Sequence, residues 1–162
     1  MKKLFSIFLA VGLAGSMQAQ EATWLRGSAI SPDGQTIVFG HRGDLYTVPA
    51  TGGRATRLTS HRAYDGFPQW SPDGSQIAFS SDRYGGMDVF VMPATGGRAR
   101  RLTTHSAQEY VQAWLDNQHI LYTASIQADQ KDLVFPSGFS QVWQVDTEGH
   151  RPRLFSSLTM ES

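Results

Sequence analysis

The stretch Pro49-Ala50-Thr51-Gly52-Gly53-Arg54-Ala55 recurs without change as Pro93 to Ala99, and no other feature limits the fold of this chain so tightly. Ser31-Pro32-Asp33-Gly34 returns as Ser71-Pro72-Asp73-Gly74, Ile37-Val38-Phe39 as Ile77-Ala78-Phe79, and Arg57-Leu58-Thr59 as Arg101-Leu102-Thr103, with His61 matched by His105. A diverged third copy follows. Trp114 answers Trp70, Ile120-Leu121-Tyr122 answers Ile77-Ala78-Phe79, Val142-Trp143-Gln144-Val145 answers Val89-Phe90-Val91-Met92, and Glu148-Gly149 stands where Thr-Gly-Gly stood. A period of about 40 to 45 residues means that each copy is one supersecondary unit, stacked on the next.

Within a copy the signals keep one order: a short strand, a Pro-Asp-Gly turn, two β-rich runs, a Gly-Gly turn and a last Arg-Leu-Thr strand. This spells four antiparallel strands. Pro sets φ for a type I turn, and the closing Gly supplies the positive φ of a bulged hairpin loop. In the third copy Leu115-Asp116-Asn117-Gln118 is one residue shorter, which predicts a tighter turn with Asn117 able to take the left-handed conformation. The middle strands are apolar on both faces, Ile37 and Phe39 against Val38, Val89 and Val91 against Phe90 and Met92, so both faces must be covered. The final strands, Arg54 to Thr59 and Arg98 to Thr103, are polar and suit an outer edge that must not pair with neighbours.

These requirements describe an all-β chain, a partial β-propeller of about three four-stranded antiparallel blades at roughly 24–59, 67–103 and 110–155. A sandwich or single barrel would leave the near-identical spacing unexplained. Propellers close with about four to eight blades. Ser157 to Ser162 therefore reads as the start of a fourth blade, and residues 20–162 as an incomplete propeller: a truncated product, a gene fragment, or a piece that completes itself by association. At the other end, Lys2-Lys3, the apolar run Leu4 to Leu13 and the small residues up to Ala19 read as a signal peptide, residues 1–19. That run is about half the roughly 20 residues a spanning helix needs, so stable membrane insertion is not expected.

Trp70-Ser71-Pro72-Asp73-Gly74-Ser75-Gln76-Ile77-Ala78-Phe79-Ser80-Ser81-Asp82-Arg83-Tyr84-Gly85, followed by Asp88-Val89-Phe90-Val91-Met92, resembles the TolB-type propeller repeat. That repeat occurs in TolB, in tricorn-like serine peptidases, in propellers of prolyl-oligopeptidase relatives and in propeller enzymes acting on sugars, so it implies the fold and not one activity. The leader running almost directly into the first blade, with Tyr64-Asp65-Gly66-Phe67-Pro68-Gln69-Trp70 and Met92-Pro93-Ala94-Thr95-Gly96-Gly97, is similar to the start of exported tricorn-like peptidases. The resemblance implies a secreted or periplasmic propeller that admits or sorts peptides, with catalytic residues in later domains beyond a peptide-binding PDZ module. The alternative it implies is a TolB-like propeller that binds an envelope protein and has no enzymatic activity.

Chemistry read from the residues points the same way. Net charge is zero, Lys131 is the only Lys beyond the leader, and the arginines are scattered, which gives no track for nucleic acid. The absence of Cys excludes disulfides and thiolate metal sites. Pro136-Ser137-Gly138 lacks the frame of a nucleophile elbow. His41, His119 and His150 do not form a spaced ligand set, while His61 and His105 suggest a task performed once per blade at the junction. Asp33-Gly34 and Asp73-Gly74 are turns rather than calcium loops. Arg42-Gly43-Asp44 falls on a hairpin, and Asp44 and Asp88, at matching positions, are expected to pair with turn groups. No catalytic, cofactor-binding or metal-binding residue is assigned. Leu133-Val134-Phe135-Pro136 forms an apolar patch within the long 125–140 interval, suited to a missing neighbour or a peptide. The expected partners are a peptide or protein, the remainder of the same polypeptide, or a second copy in a homo-oligomer.

Overall fold

The computed structural model describes residues 25–125 and 140–156. The expected signal peptide at 1–19, the stretch Leu133 to Ser137 and the expected fourth-blade start at 157–162 lie outside the described residues.

Each repeat forms one antiparallel sheet whose strands follow chain order. Blade 1 contains β1 (Leu25–Ile30), β2 (Thr36–His41), β3 (Asp44–Pro49) and β4 (Thr56–Arg57). Blade 2 contains β5 (Asp65–Trp70), β6 (Gln76–Ser81), β7 (Asp88–Pro93) and β8 (Arg100–Arg101). Blade 3 contains β9 (Glu109–Trp114), β10 (His119–Ala124), β11 (Gln141–Asp146) and β12 (Arg153–Ser156). The three sheets are separate, as a partial propeller requires, and do not merge into one barrel.

The Pro-Asp-Gly turns form as their chemistry dictates. Asp33 Oδ1 accepts from the Ser31 hydroxyl and from the Gln35 N–H, and Asp73 repeats both bonds with Ser71 and Ser75. The shorter third turn is closed by Leu115 N–H on the His119 carbonyl at 2.8 Å. Its mechanism differs from expectation, because Asn117 is not among the residues at positive φ. Asp116 Oδ1 instead accepts from the Gln118 and His119 N–H groups, which frees the Asn117 side chain to accept from Asp73 N–H across the junction at 3.0 Å.

The outer strands of blades 1 and 2 are only two residues long, shorter than the polar runs suggested. The reason is a competing bond. Thr59 and Thr103 turn inward, and their hydroxyls accept the N–H groups of Leu45 and Val89, both at 2.9 Å, which ends the ladder.

Packing between blades repeats as well. Trp70 Nε1 donates to the Ala29 carbonyl and Trp114 Nε1 to the Gln69 carbonyl, so each inner strand is tied to the one before it. Val38 and Leu45 of blade 1 cluster with Ile77, Phe79, Phe90 and Met92 of blade 2. Ala78, Val89, Val91 and Leu102 of blade 2 cluster with Ile120, Tyr122, Trp143 and Val145 of blade 3. Burying such side chains stabilises each junction by roughly 1.5 to 3 kcal/mol per large residue.

One dimension does not repeat. The β2–β3 connection is the two-residue turn Arg42-Gly43, both at positive φ as a mirror-image hairpin turn demands, whereas β6 and β7 are joined by residues 82–87 and β10 and β11 by residues 125–140.

Candidate functional site

The β2–β3 and β6–β7 connections share one end of the molecule with the β4–β5 and β8–β9 crossings, because four antiparallel strands in order put those ends together. At each junction this end is built from the same parts. Asp44 accepts from Arg57 at 2.6 Å, and Asp88 accepts from Arg101 at 2.8 Å, thirteen residues on in both cases. An acid from the next blade completes each set: Asp65, fully buried, accepts from Arg83 at 2.9 Å, and Glu109, fully buried, accepts from the Thr103 hydroxyl. The expectation that Asp44 and Asp88 pair with turn groups is therefore met by an outer-strand arginine instead.

The second junction is the more enclosed. The Arg101 guanidinium covers the Tyr84 ring at 4.4 Å and its side chain is 27% exposed, against 48% for Arg57. Burial pushes the Glu109 carboxyl up to about 7, with the Thr103 hydrogen bond opposing and the Asp88 charge adding to it. Burial also raises Asp88, against the hydrogen bond and charge of Arg101. Burial raises the Tyr122 phenol, and the Glu109 charge adds to that shift.

At the first junction the acids are spent on internal partners while cations face outward. A cleft of ≈ 440 Å³ is lined by Arg26, His41, Arg42, His61, Arg62 and Tyr64, with Asp65 at its floor. Among the described residues none of Arg26, Arg42 and Arg62 pairs with a carboxylate. His41 Nδ1 is buried without a partner among those residues. His61 Nδ1 accepts from the Ala63 N–H at 3.1 Å, and His105 repeats this with Ala107 at 3.0 Å, so both histidines close the same crossing turn once per junction. Such a cleft attracts anionic groups, carboxylates above all, through charge and the fork of the guanidinium.

Two residues beyond Asp65 on the inner strand, Phe67 is held at φ 55° where β5 bulges, 41% exposed, with its ring edge-on to Tyr110 of blade 3 at 5.0 Å. Its counterpart Gly27 has φ 50° at the matching bulge of β1. A bulky side chain in the left-handed region costs about 1 to 2 kcal/mol, which only a compensating contact or a task would retain. Sequence reasoning did not find this aromatic pair or the arginine cluster. The one available signal was Phe67 standing where the first repeat has Gly.

The opposite end carries a second cleft, of ≈ 830 Å³, that brings together His119 and His150. His119 Nδ1 lies 2.9 Å from Asp116 and His150 Nδ1 2.7 Å from Asp146, which itself faces His119 across the ladder. The His119 hydrogen bond holds the Asp116 carboxyl below its usual range. Among the described residues no group of three or more His, Cys, Asp or Glu is placed to hold a metal ion. No helix among them is long and apolar enough to cross a membrane.

A family model described as the tricorn protease N-terminal beta propeller domain matches residues 22–161. Tricorn protease homolog 1 of Streptomyces coelicolor is 35% identical over 58 residues, which is 36% of this chain and 5% of that protein. Among solved structures, a TolB-type protein of Agrobacterium tumefaciens superposes with TM-score 0.63 at 20% identity, over 80% of this chain and 47% of that one. The tricorn protease crystal structure does so with TM-score 0.54 at 18% identity, over 75% and 13%. The chain thus spans less than half the length of each, and at these identities the structures speak for the fold.

Proposed function

This chain belongs to the tricorn protease N-terminal β-propeller domain family, and from that premise we propose that it is the propeller portion of a secreted or periplasmic serine peptidase of tricorn type, admitting or sorting peptides without cleaving them. The observation that carries the reading is the cleft of three outward arginines, with the exposed Phe67, paired to Tyr110, two residues along the strand from its lining Asp65: cations for a peptide's carboxylates, an aromatic ring for its side chains. The leader expected at residues 1–19 supports export.

The test is binding of fluorescein-labelled unfolded peptides by anisotropy, with free and amidated C-termini. Saturable binding should weaken at least tenfold in Arg42→Glu/Arg62→Glu and fall with salt, while peptidase activity of the purified chain stays nil. Robust cleavage by the chain alone, or affinity indifferent to the double variant, defeats the proposal. The TolB-type likeness favours a second reading, a propeller that binds a folded envelope protein. It predicts no peptide affinity, and a reading frame without PDZ and catalytic segments downstream.

A further inference from the structure

Three arginines line the cleft between blades 1 and 2, and the repeat itself shows that a blade junction forms without them. Arg26 precedes the inner-strand bulge of β1 where Gly66 precedes that of β5, as the pairings of Arg26 with Gly40 and of Gly66 with Ser80 align them. Arg42 stands two residues before Asp44 where Gly86 stands two before Asp88, and Arg62 follows His61 where Ser106 follows His105. The next junction thus carries glycine or serine at all three positions, yet it keeps the Asp–Arg pair and the histidine that closes the crossing turn. One of the three is also held against backbone preference: Arg42 has φ 52°, in the left-handed region that glycine enters freely.

Among the described residues no carboxylate neutralises these cations. Asp65, the acid in the cleft wall, is fully buried and held by Arg83 at 2.9 Å, while Asp44 is held by Arg57. The crossing offers no cradle for a compact anion either, because the N–H groups of Ala63, Tyr64 and Asp65 are donated in turn to His61 Nδ1, Asp82 Oδ1 and the Gly43 carbonyl. A phosphate nest needs such successive N–H groups free. The arginines come from an inner strand, a hairpin turn and the crossing between blades, so their charge is strung across the blade end. One terminal carboxylate satisfies a single guanidinium fork. Three forks call for several carboxylates spaced along a chain.

We propose that this cleft selects peptides by their acidic side chains, taking segments with two or more Asp or Glu residues in preference to neutral ones and independently of the C-terminal carboxylate. The inference rests on the peptide-sorting reading above and names the class of peptide sorted. Three like charges in one cleft repel each other, and a segment with several negative charges relieves that repulsion more fully than a single charge does. The preference therefore falls as salt rises.

Fluorescence anisotropy on the purified chain tests this with three labelled peptides of one length, all amidated at the C-terminus: one with internal Asp and Glu, the same with Asn and Gln in their place, and the same with Lys. The acidic peptide should bind at least tenfold more tightly than the Asn/Gln peptide, and the Lys peptide more weakly still. Arg26→Gly/Arg42→Gly/Arg62→Ser, which gives blade 1 the residues that blade 2 carries, should abolish the preference with near-ultraviolet dichroism unchanged. Arg42→Gly and Arg62→Ser alone, both on connections between strands, should each reduce it at least threefold, and they decide the matter if the triple variant does not fold. Equal binding of the acidic and Asn/Gln peptides overturns this inference and leaves peptide sorting standing, whereas no binding of any peptide defeats both. A preference that survives the substitutions overturns it too, as does acidic-peptide affinity gained only on freeing the C-terminus, or a chain that binds pyrophosphate and not the acidic peptide.

Discussion

Trp114 Nε1 donates to the Gln69 carbonyl at 3.0 Å, binding the inner strand of blade 3 to that of blade 2, as Trp70 binds blade 2 to the Ala29 carbonyl at 3.1 Å. Trp114→Phe keeps most of the ring and removes the donor, leaving a half-buried carbonyl without its partner. The expected cost is about 1 to 2 kcal/mol, read as a lower urea midpoint at unchanged slope. An unchanged midpoint would show the bond to be incidental.

Glu109 gives the fold a pH dependence of definite sign. Its carboxyl is raised from 4.5 to about 7, chiefly by burial, so between those values the folded chain binds more protons than the unfolded one. Stability therefore falls as pH rises from about 4.5 to 7. Glu109→Gln should flatten that slope, as measured by thermal melts across the interval; a parent stabilised by rising pH over the same interval would refute the assignment.

Asp88 and Asp44 hold equivalent arginines in unequal surroundings. The Asp88 side chain is 2% exposed against Arg101 at 27%, while Asp44 at 11% faces Arg57 at 48%. Asp88→Ala strands a cation in the more enclosed junction and should cost about 3 kcal/mol. Asp44→Ala, whose partner reaches water, should cost about 1 kcal/mol. Equal losses in denaturant melts would contradict the distinction drawn between the two junctions.

Phe67 exchanges backbone strain for an aromatic contact. Phe67→Gly restores the residue that blade 1 uses at this bulge and removes the left-handed penalty of about 1 to 2 kcal/mol, but forfeits the pairing with Tyr110, about 0.5 to 1.5 kcal/mol. Stability should stay within about 1 kcal/mol of the parent, whereas peptide affinity under the proposed function should drop severalfold. A variant that loses neither stability nor affinity would leave the aromatic without a role.

The propeller was legible because its constraints are local. Ser-Pro-Asp-Gly and Thr-Gly-Gly each fix a turn within a few residues, and the apolar runs between them can only be strands covered on both sides. The site was less so. Asp44 meets Arg57 and Asp88 meets Arg101 only after a strand, a turn and an edge have placed them, and neither residue type at that spacing is unusual in a solvated surface. Arg26, Arg42 and Arg62 look scattered along the chain and converge only when the β2–β3 turn meets the crossing to blade 2. Asn117 was misassigned for a related reason, since its turn is closed by Asp116 and its own amide serves the neighbouring blade.

The unequal connections between second and third strands, two residues in blade 1 against the segments 82–87 and 125–140, have a practical corollary. The Pro-Asp-Gly end behaves as a chassis whose dimensions are held between blades 1 and 2, while the other end is writable, since length added there leaves the Ser31 to Thr36 and Ser71 to Gln76 closures untouched. Between Arg42 and Gly43 lies the shortest strand connection among the described residues, at the rim of the basic cleft, and so the natural port at which foreign sequence could be spliced in to retune what the molecule holds.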